Sequence, residues 1–183
     1  MIEIPRTANF EITSARASAG GQDHVIILSK QLPAIPLLRI HSECLTGDVL
    51  GSLRCDCGDQ LRMALAAIAS QGGLILYMRQ EGRGIGLTAK LKTYELQDVG
   101  YDTVDANLRL GYPADARTYD DAVRILRSLR IAKVRLMTNN PCKVQGLRDG
   151  GIEVVAVLPC LTKPTVHNTS YLQVKKSRMG HCL

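Results

Sequence analysis

The chain has 183 residues, a formal net charge of +6, and 45% apolar, 22% charged and only 4% aromatic residues. That length supports one domain with a sizeable core, and the composition excludes disordered, collagen-like and disulfide-miniprotein classes. The charge attracts anions, so nucleotides, phosphorylated metabolites and nucleic acid all fit as partners; the densest basic run, VKKSR, reads by itself as a solvated face.

The opening MIEIPRTANFEITSARASAG carries Glu3 and Glu11 and no apolar run of signal-peptide type, and no long apolar stretch follows, which predicts a cytoplasmic, non-membrane protein. Residues 1–23 are expected to be weakly ordered. HVIILS and LLRIHSE read as strands on either side of the turn-rich KQLPAIP. Leu61, Ala64, Leu65, Ile68 and Ala69 recur at helical spacing, and Gly72-Gly73 supplies the stop. LILYM is a short buried strand, followed by a helix from about Leu87 to Val99 with Leu87, Leu91 and Tyr94 on one side. A further helix starts at Thr118, where Thr118 and Asp121 approximate a capping box. KVRLMT is a strand, NNPCKVQGLRDGG a helix with Pro141 in its first turn, and IEVVAVL a last strand. This alternation predicts an α/β fold, a single domain with a mostly parallel or mixed sheet and flanking helices.

Six cysteines (44, 55, 57, 142, 160 and 182) in a reducing compartment are not expected to pair as structural disulfides, and three of them stand close together in SECLTGDVLGSLRCDCGD. Cys55 and Cys57 can reach one ion from a turn, with Cys44 arriving from the end of the preceding strand. Spaced C-x10-C-x-C, they lack the fourth ligand of a closed zinc site. Three ligands and a water form a catalytic arrangement, because zinc lowers the water's pKa to around 7. The alternative is a structural zinc completed from afar by His181 or Cys182.

RQEGRGIGLTAK contains G-x-G-x-x-A, but Arg79, Glu81 and Arg83 bracket the glycines, which disfavours a dinucleotide loop. A phosphate cradle of backbone N–H groups and Arg83, with Glu81 holding magnesium or water, is the competing reading. Asp115 and Arg117 in ADAR form at least a surface ion pair, and Asn140-Pro141 at least a helix cap. Together with the cysteines and the glycine-rich loop, they mark ligand positions at element ends.

The segments RIHSECLTGDVLGSLRCDCG, RQEGRGIGL, YDTVDAN, TNNPCKV and YLQVKKSRMGH together resemble GTP cyclohydrolase II, roughly from His24 to His181. The resemblance implies that residues 24–183 form the catalytic domain of a homodimeric enzyme, with GTP as substrate and no membrane or nucleic-acid partner. Such an enzyme hydrolyses GTP to 2,5-diamino-6-(5-phosphoribosylamino)pyrimidin-4(3H)-one, formate and pyrophosphate at the start of riboflavin synthesis. It further implies one Zn2+ per chain on Cys44, Cys55 and Cys57, and Mg2+ with the triphosphate. GTP contacts fall to Arg39, Ile40, His41, Ser42, Glu43, Gln60, Glu81, Gly82, Arg83, Thr103, Thr138 and Lys143. Asp115 matches the proton acceptor, Arg117 the nucleophile toward the α-phosphate, and Tyr94 a tyrosine tied to completing ring opening. A guanidinium, with its pKa above ~12, suits a phosphate clamp as well as a nucleophile. Thr88-Ala89 and Val174 depart from the family pattern and leave room for a paralogue that stops at the formamide, against which Tyr94 argues. A basic nucleic-acid-binding module with structural zinc is the reading from a different class.

Overall fold

Two strands built almost wholly of buried side chains, Leu37–Ser42 (β3) and Gly73–Met78 (β4), run parallel at the centre of the molecule, in register from Leu37 opposite Gly73 to Ser42 opposite Met78. A computed structural model describes residues 10–16 and 21–182 of the chain. Around β3 and β4 the remaining strands, Phe10–Arg16 (β1), Asp23–Ser29 (β2), Lys133–Met137 (β5) and Glu153–Leu158 (β6), complete a six-stranded sheet ordered β1-β2-β4-β3-β5-β6. β1 with β2 and β2 with β4 are antiparallel, and all pairs from β4 to β6 are parallel, so the sheet is mixed.

The described helices are Leu45–Asp48 (α1), Cys57–Gln71 (α2), Leu87–Asp98 (α3), Thr103–Arg109 (α4), Asp120–Ser128 (α5), Pro141–Asp149 (α6) and Thr169–Met179 (α7). Period-two alternation sends Leu38, Ile40, Leu74, Leu76 and Met78 to one face, where Val123, Ile125 and Leu126 of α5 and Leu147 of α6 cover them. Leu37 and Ile75 point to the other face, against Leu61, Ala64, Leu65 and Ile68 of α2. Helix α2 ends at Gly72, whose φ of 72° suits glycine. Asn140 caps α6 through Oδ1, which accepts from Cys142 N at 2.9 Å, with Pro141 in the first turn. The result is a single α/β domain with helices on both faces of a mixed sheet.

Within the segment expected to be weakly ordered, β1 pairs along its full length with β2; residues 1–9, 17–20 and 183 lie outside the described residues. Two expectations about the helices are corrected. Thr118 and Asp121 do not form a capping box: Tyr119 occupies the cap position with no side-chain cap bond, and Asp121 instead accepts from His24 Nε2 at 3.1 Å. Helix α3 turns Ala89, Lys90 and Thr93 inward and leaves Leu87 and Leu91 exposed, the reverse of its apolar pattern. Among the described residues no helix is long and apolar enough to cross a membrane.

The close approach of β3 and β4 depends on Gly73, where an added Cβ would stand 2.1 Å from the Leu37 carbonyl oxygen. A backbone oxygen in a ladder cannot yield as a side chain can. Gly73→Ala is therefore expected to cost about 3 kcal/mol, at the upper end of overpacking penalties. Thermal denaturation should show a drop of roughly 6–12 °C for a domain of this size.

Candidate active site

Three parallel strands end at one edge of the sheet, which is where open α/β sheets bind ligands. β3 runs into Glu43, Cys44 and α1, β4 into a tight 3-10 turn at Glu81–Gly84, and β5 into Thr138, Asn139 and Asn140 ahead of α6. Together with α3, α4 and α7 they enclose a cleft of about 1010 Å³, open solvent included.

The three cysteines converge on one side of this cleft. Their sulfurs lie within 4.8 Å of one another, and Cys44 Sγ is 3.7 Å from Cys55 Sγ. A tetrahedral ion with Zn–S bonds near 2.3 Å requires sulfurs about 3.8 Å apart, so the cluster fits zinc. Among the described residues no His, carboxylate or fourth Cys joins the group: His181 lines the cleft apart from it, and neither it nor Cys182 completes a closed site. Gly47 makes the space, since a Cβ there would sit 2.8 Å from Cys55 Sγ and 3.2 Å from Cys44 Sγ. Cys44 titrates far below an ordinary thiol, held there first by hydrogen bonds from Cys55 and Cys57 and then by the Lys90 ammonium. The same interactions push Cys55 up to about 11 and Cys57 upward as well.

Buried acids hold this loop. Asp48 accepts from Cys44 N and Tyr77 Oη at 2.9 Å each and from His41 Nε2 at 3.1 Å, while the imidazole stacks on Tyr77. Burial keeps His41 neutral, lowering its pKa, and leaves Nδ1 without a partner. Asp56, between two of the cysteines, accepts from Lys175 Nζ at 2.7 Å and Gln60 Nε2 at 2.6 Å; Gln60 Oε1 in turn accepts from Arg39 Nη2. Glu81 is held through both oxygens: Oε2 accepts from Leu45 N at 2.6 Å, and Oε1 from Lys90 Nζ and Gly82 N at 2.8 Å each. Tyr94 Oη lies 3.1 Å from Thr46 Oγ1, and burial raises its pKa.

The rest of the cleft gathers cations. Lys143 is buried and, among the described residues, has only the Ile40 carbonyl as acceptor, at 2.7 Å; burial first, then Arg39, Arg117 and Lys175, push its pKa well below the ordinary lysine value. Arg117 is gripped by Asp115, which accepts from its backbone N at 3.0 Å, from Nε at 2.8 Å and from Nη2. Burial opposes the guanidinium charge, but Asp115 outweighs it and the pKa is raised. Arg83, held at φ 61°, keeps both terminal nitrogens buried and without partners. His181 is pushed down to about 3, by burial and then by Lys175, Arg117, Lys143 and Arg83.

Of the residues singled out in the sequence, the cysteines, Tyr94 and Arg117 line this one cleft, as do Arg39, His41, Ser42, Glu43 and Gln60. Glu81, Gly82, Arg83, Thr103, Thr138 and Lys143 line it too. Two do not: Ile40 buries its side chain in the core and offers only its carbonyl, and Asp115 stands behind Arg117. Sequence reasoning missed Lys90, Tyr171 and Lys175 on the wall, and Asp48 and Asp56 behind it. The available signal was a lysine inside a helix otherwise read as amphipathic, and acids placed next to the cysteines.

A family model described as GTP cyclohydrolase II matches residues 2–159. The chain is 50% identical over 177 residues to a Shewanella frigidimarina protein named GTP cyclohydrolase-2, covering 95% of this chain and 88% of that one. It is 49% identical over 169 residues to the Helicobacter pylori protein of the same name, covering 92% and 86%. It is also 53% identical over 181 residues to Synechocystis riboflavin biosynthesis protein RibBA, covering 98% of this chain and 31% of that longer one. Similarity of this depth, running through the elements that build the cleft, means that the chain belongs to the GTP cyclohydrolase II family of enzymes.

Proposed function

We propose that the protein hydrolyses GTP, opening the imidazole ring and releasing formate and pyrophosphate to leave 2,5-diamino-6-(5-phosphoribosylamino)pyrimidin-4(3H)-one, the first step of riboflavin synthesis. The observation that carries this reading is the meeting, in one cleft, of a three-sulfur cluster and the cations Arg39, Arg83, Arg117 and Lys143. The names of the relatives point the same way.

Ring opening adds water at C8 of guanine, breaks the bond from C8 to a ring nitrogen, and then hydrolyses the formyl group. Neither carbon is electrophilic enough for bulk water. Cys44, Cys55 and Cys57 would hold zinc, which when bound would supply Lewis acidity and acidify water toward neutrality. Tyr94, kept protonated by burial and beside the cluster, donates to the departing ring nitrogen as its bond to carbon opens. Glu81 spends three of its acceptor sites on Leu45 N, Gly82 N and Lys90 Nζ, so its role is to fix Lys90 and the metal loop, and Mg2+ travels with the triphosphate.

Pyrophosphate release requires attack at the α-phosphorus against the charge of the triphosphate. The unpartnered Arg83 nitrogens and the Lys143 amine supply donors that the protein itself leaves unused. Arg117 stays protonated, so it acts as a clamp that Asp115 aims, with water as the nucleophile. A homodimer is supported by apolar Val49, Leu50 and Leu53, exposed on a loop that Arg54 ties to Asp98 of α3.

Purified protein should carry about one zinc per chain. GTP should yield formate, and Cys55→Ser should abolish that release; zinc bound with no formate formed would overturn the hydrolase reading. Lys143 gives a pH test. Between its depressed folded-state pKa and an unfolded value near ~10.4, the unfolded chain binds more protons, so this site's contribution to stability rises with pH. Lys143→Met removes the cost of burying that lysine and should add ~1–2 kcal/mol at pH 7, with the gain vanishing toward pH 10. GTP turnover should fall on the order of 100-fold. Thermal melts at both pH values check the sign, and a less stable variant at pH 7 would contradict it.

A further inference from the structure

Lys90, on the wall of the cleft, makes its contacts on the metal cluster rather than on the cation-lined half, and it hydrogen-bonds a cluster sulfur directly. Its ammonium has three hydrogens and three acceptors: Cys44 Sγ at 3.1 Å, Thr46 Oγ1 at 3.0 Å and Glu81 Oε1 at 2.8 Å. The residue is 7% exposed, so no donor remains for a phosphate. Burying it required α3 to turn its leucines outward, and local rules are broken in this way mainly at functional sites.

We propose that Lys90 is a positioning residue for the metal: its hydrogen bond to Cys44 Sγ offsets the surplus charge of three thiolates and draws electron density off that sulfur, keeping the ion acidic. The inference rests on the zinc reading above. Three thiolates and Zn2+ sum to one net negative charge, and each thiolate donates more density than an imidazole, which weakens the ion as an acid. A hydrogen bond from a cation to one sulfur opposes both effects. Glu81 keeps the ammonium on target while its own charge is met by the Leu45 and Gly82 amides. Outer-shell partners of this kind typically change metal affinity or activity by about 10–100-fold.

The test compares wild type, Glu81→Gln, Lys90→Gln and the double variant Lys90→Gln/Glu81→Gln, whose neutral amide pair avoids a lone buried carboxylate. Each is loaded with cobalt(II) to read the sulfur-to-metal charge-transfer band, and zinc affinity is measured by chelator competition at neutral pH. Both variants lacking the lysine should shift the band to longer wavelength, because the sulfur donor orbital rises, and should bind zinc roughly 10–100-fold more weakly. Glu81→Gln, which keeps the lysine but loosens its aim, should shift the band less than either lysine variant does. A double variant with an unshifted band and unchanged affinity overturns the inference, as does a Glu81→Gln shift equal to that of the lysine variants. Wild-type protein that takes up neither metal sinks the zinc reading and this inference together, which separates the two failures.

Discussion

The parallel ladder between β3 and β4 is the constraint on which the rest depends. Because side chains alternate across a strand, pairing Leu37–Ser42 with Gly73–Met78 commits Leu38 and Ile40 to one core and sends Arg39 and His41 to the other face. A slip of one residue would exchange these sets and bury the site's polar groups in the apolar core. The ladder also fixes where both strands end, so that Cys44 and Glu81 emerge side by side and Glu81 can reach the Leu45 amide.

The cleft is electrostatically divided. On one side, sulfur and carboxylate charges are met by Lys90 and by backbone donors; on the other, cations outnumber their partners. Arg117 has Asp115 and Lys175 has Asp56, but among the described residues Lys143 has only a carbonyl, and Arg83 has the Tyr171 ring and no acceptor for its terminal nitrogens. A buried cation without a counter-charge lowers the stability of the free protein, and a polyanionic ligand supplies what is missing. Stability and function are thus set against each other at named residues, Lys143 most plainly.

Sequence patterns revealed the strands well because β3 and β4 are short segments buried on both faces and β5 alternates basic with apolar residues, and the cysteine cluster because three thiols at C-x10-C-x-C spacing have few other uses. They failed where a tertiary partner decided the outcome. β1 is an edge strand, largely exposed, with little apolar signal, and α4 is short and polar. The facing of α3 departs from its apolar pattern because Lys90 is drawn inward by Cys44, Thr46 and Glu81, none of which is adjacent in sequence. Asp48 and Asp56 are marked in the sequence by nothing more than their place beside the cysteines, since most of their donors come from β3, β4, α2 and α7.

The central claim is an ion held by three sulfurs and open on its fourth side, facing a cleft built for a polyanion. X-ray absorption at the zinc edge of the purified protein tests it most directly. The account predicts three sulfur scatterers near ~2.3 Å and one light atom without the outer-shell pattern of an imidazole ring. Four sulfurs, or three with a coordinated histidine, would contradict it.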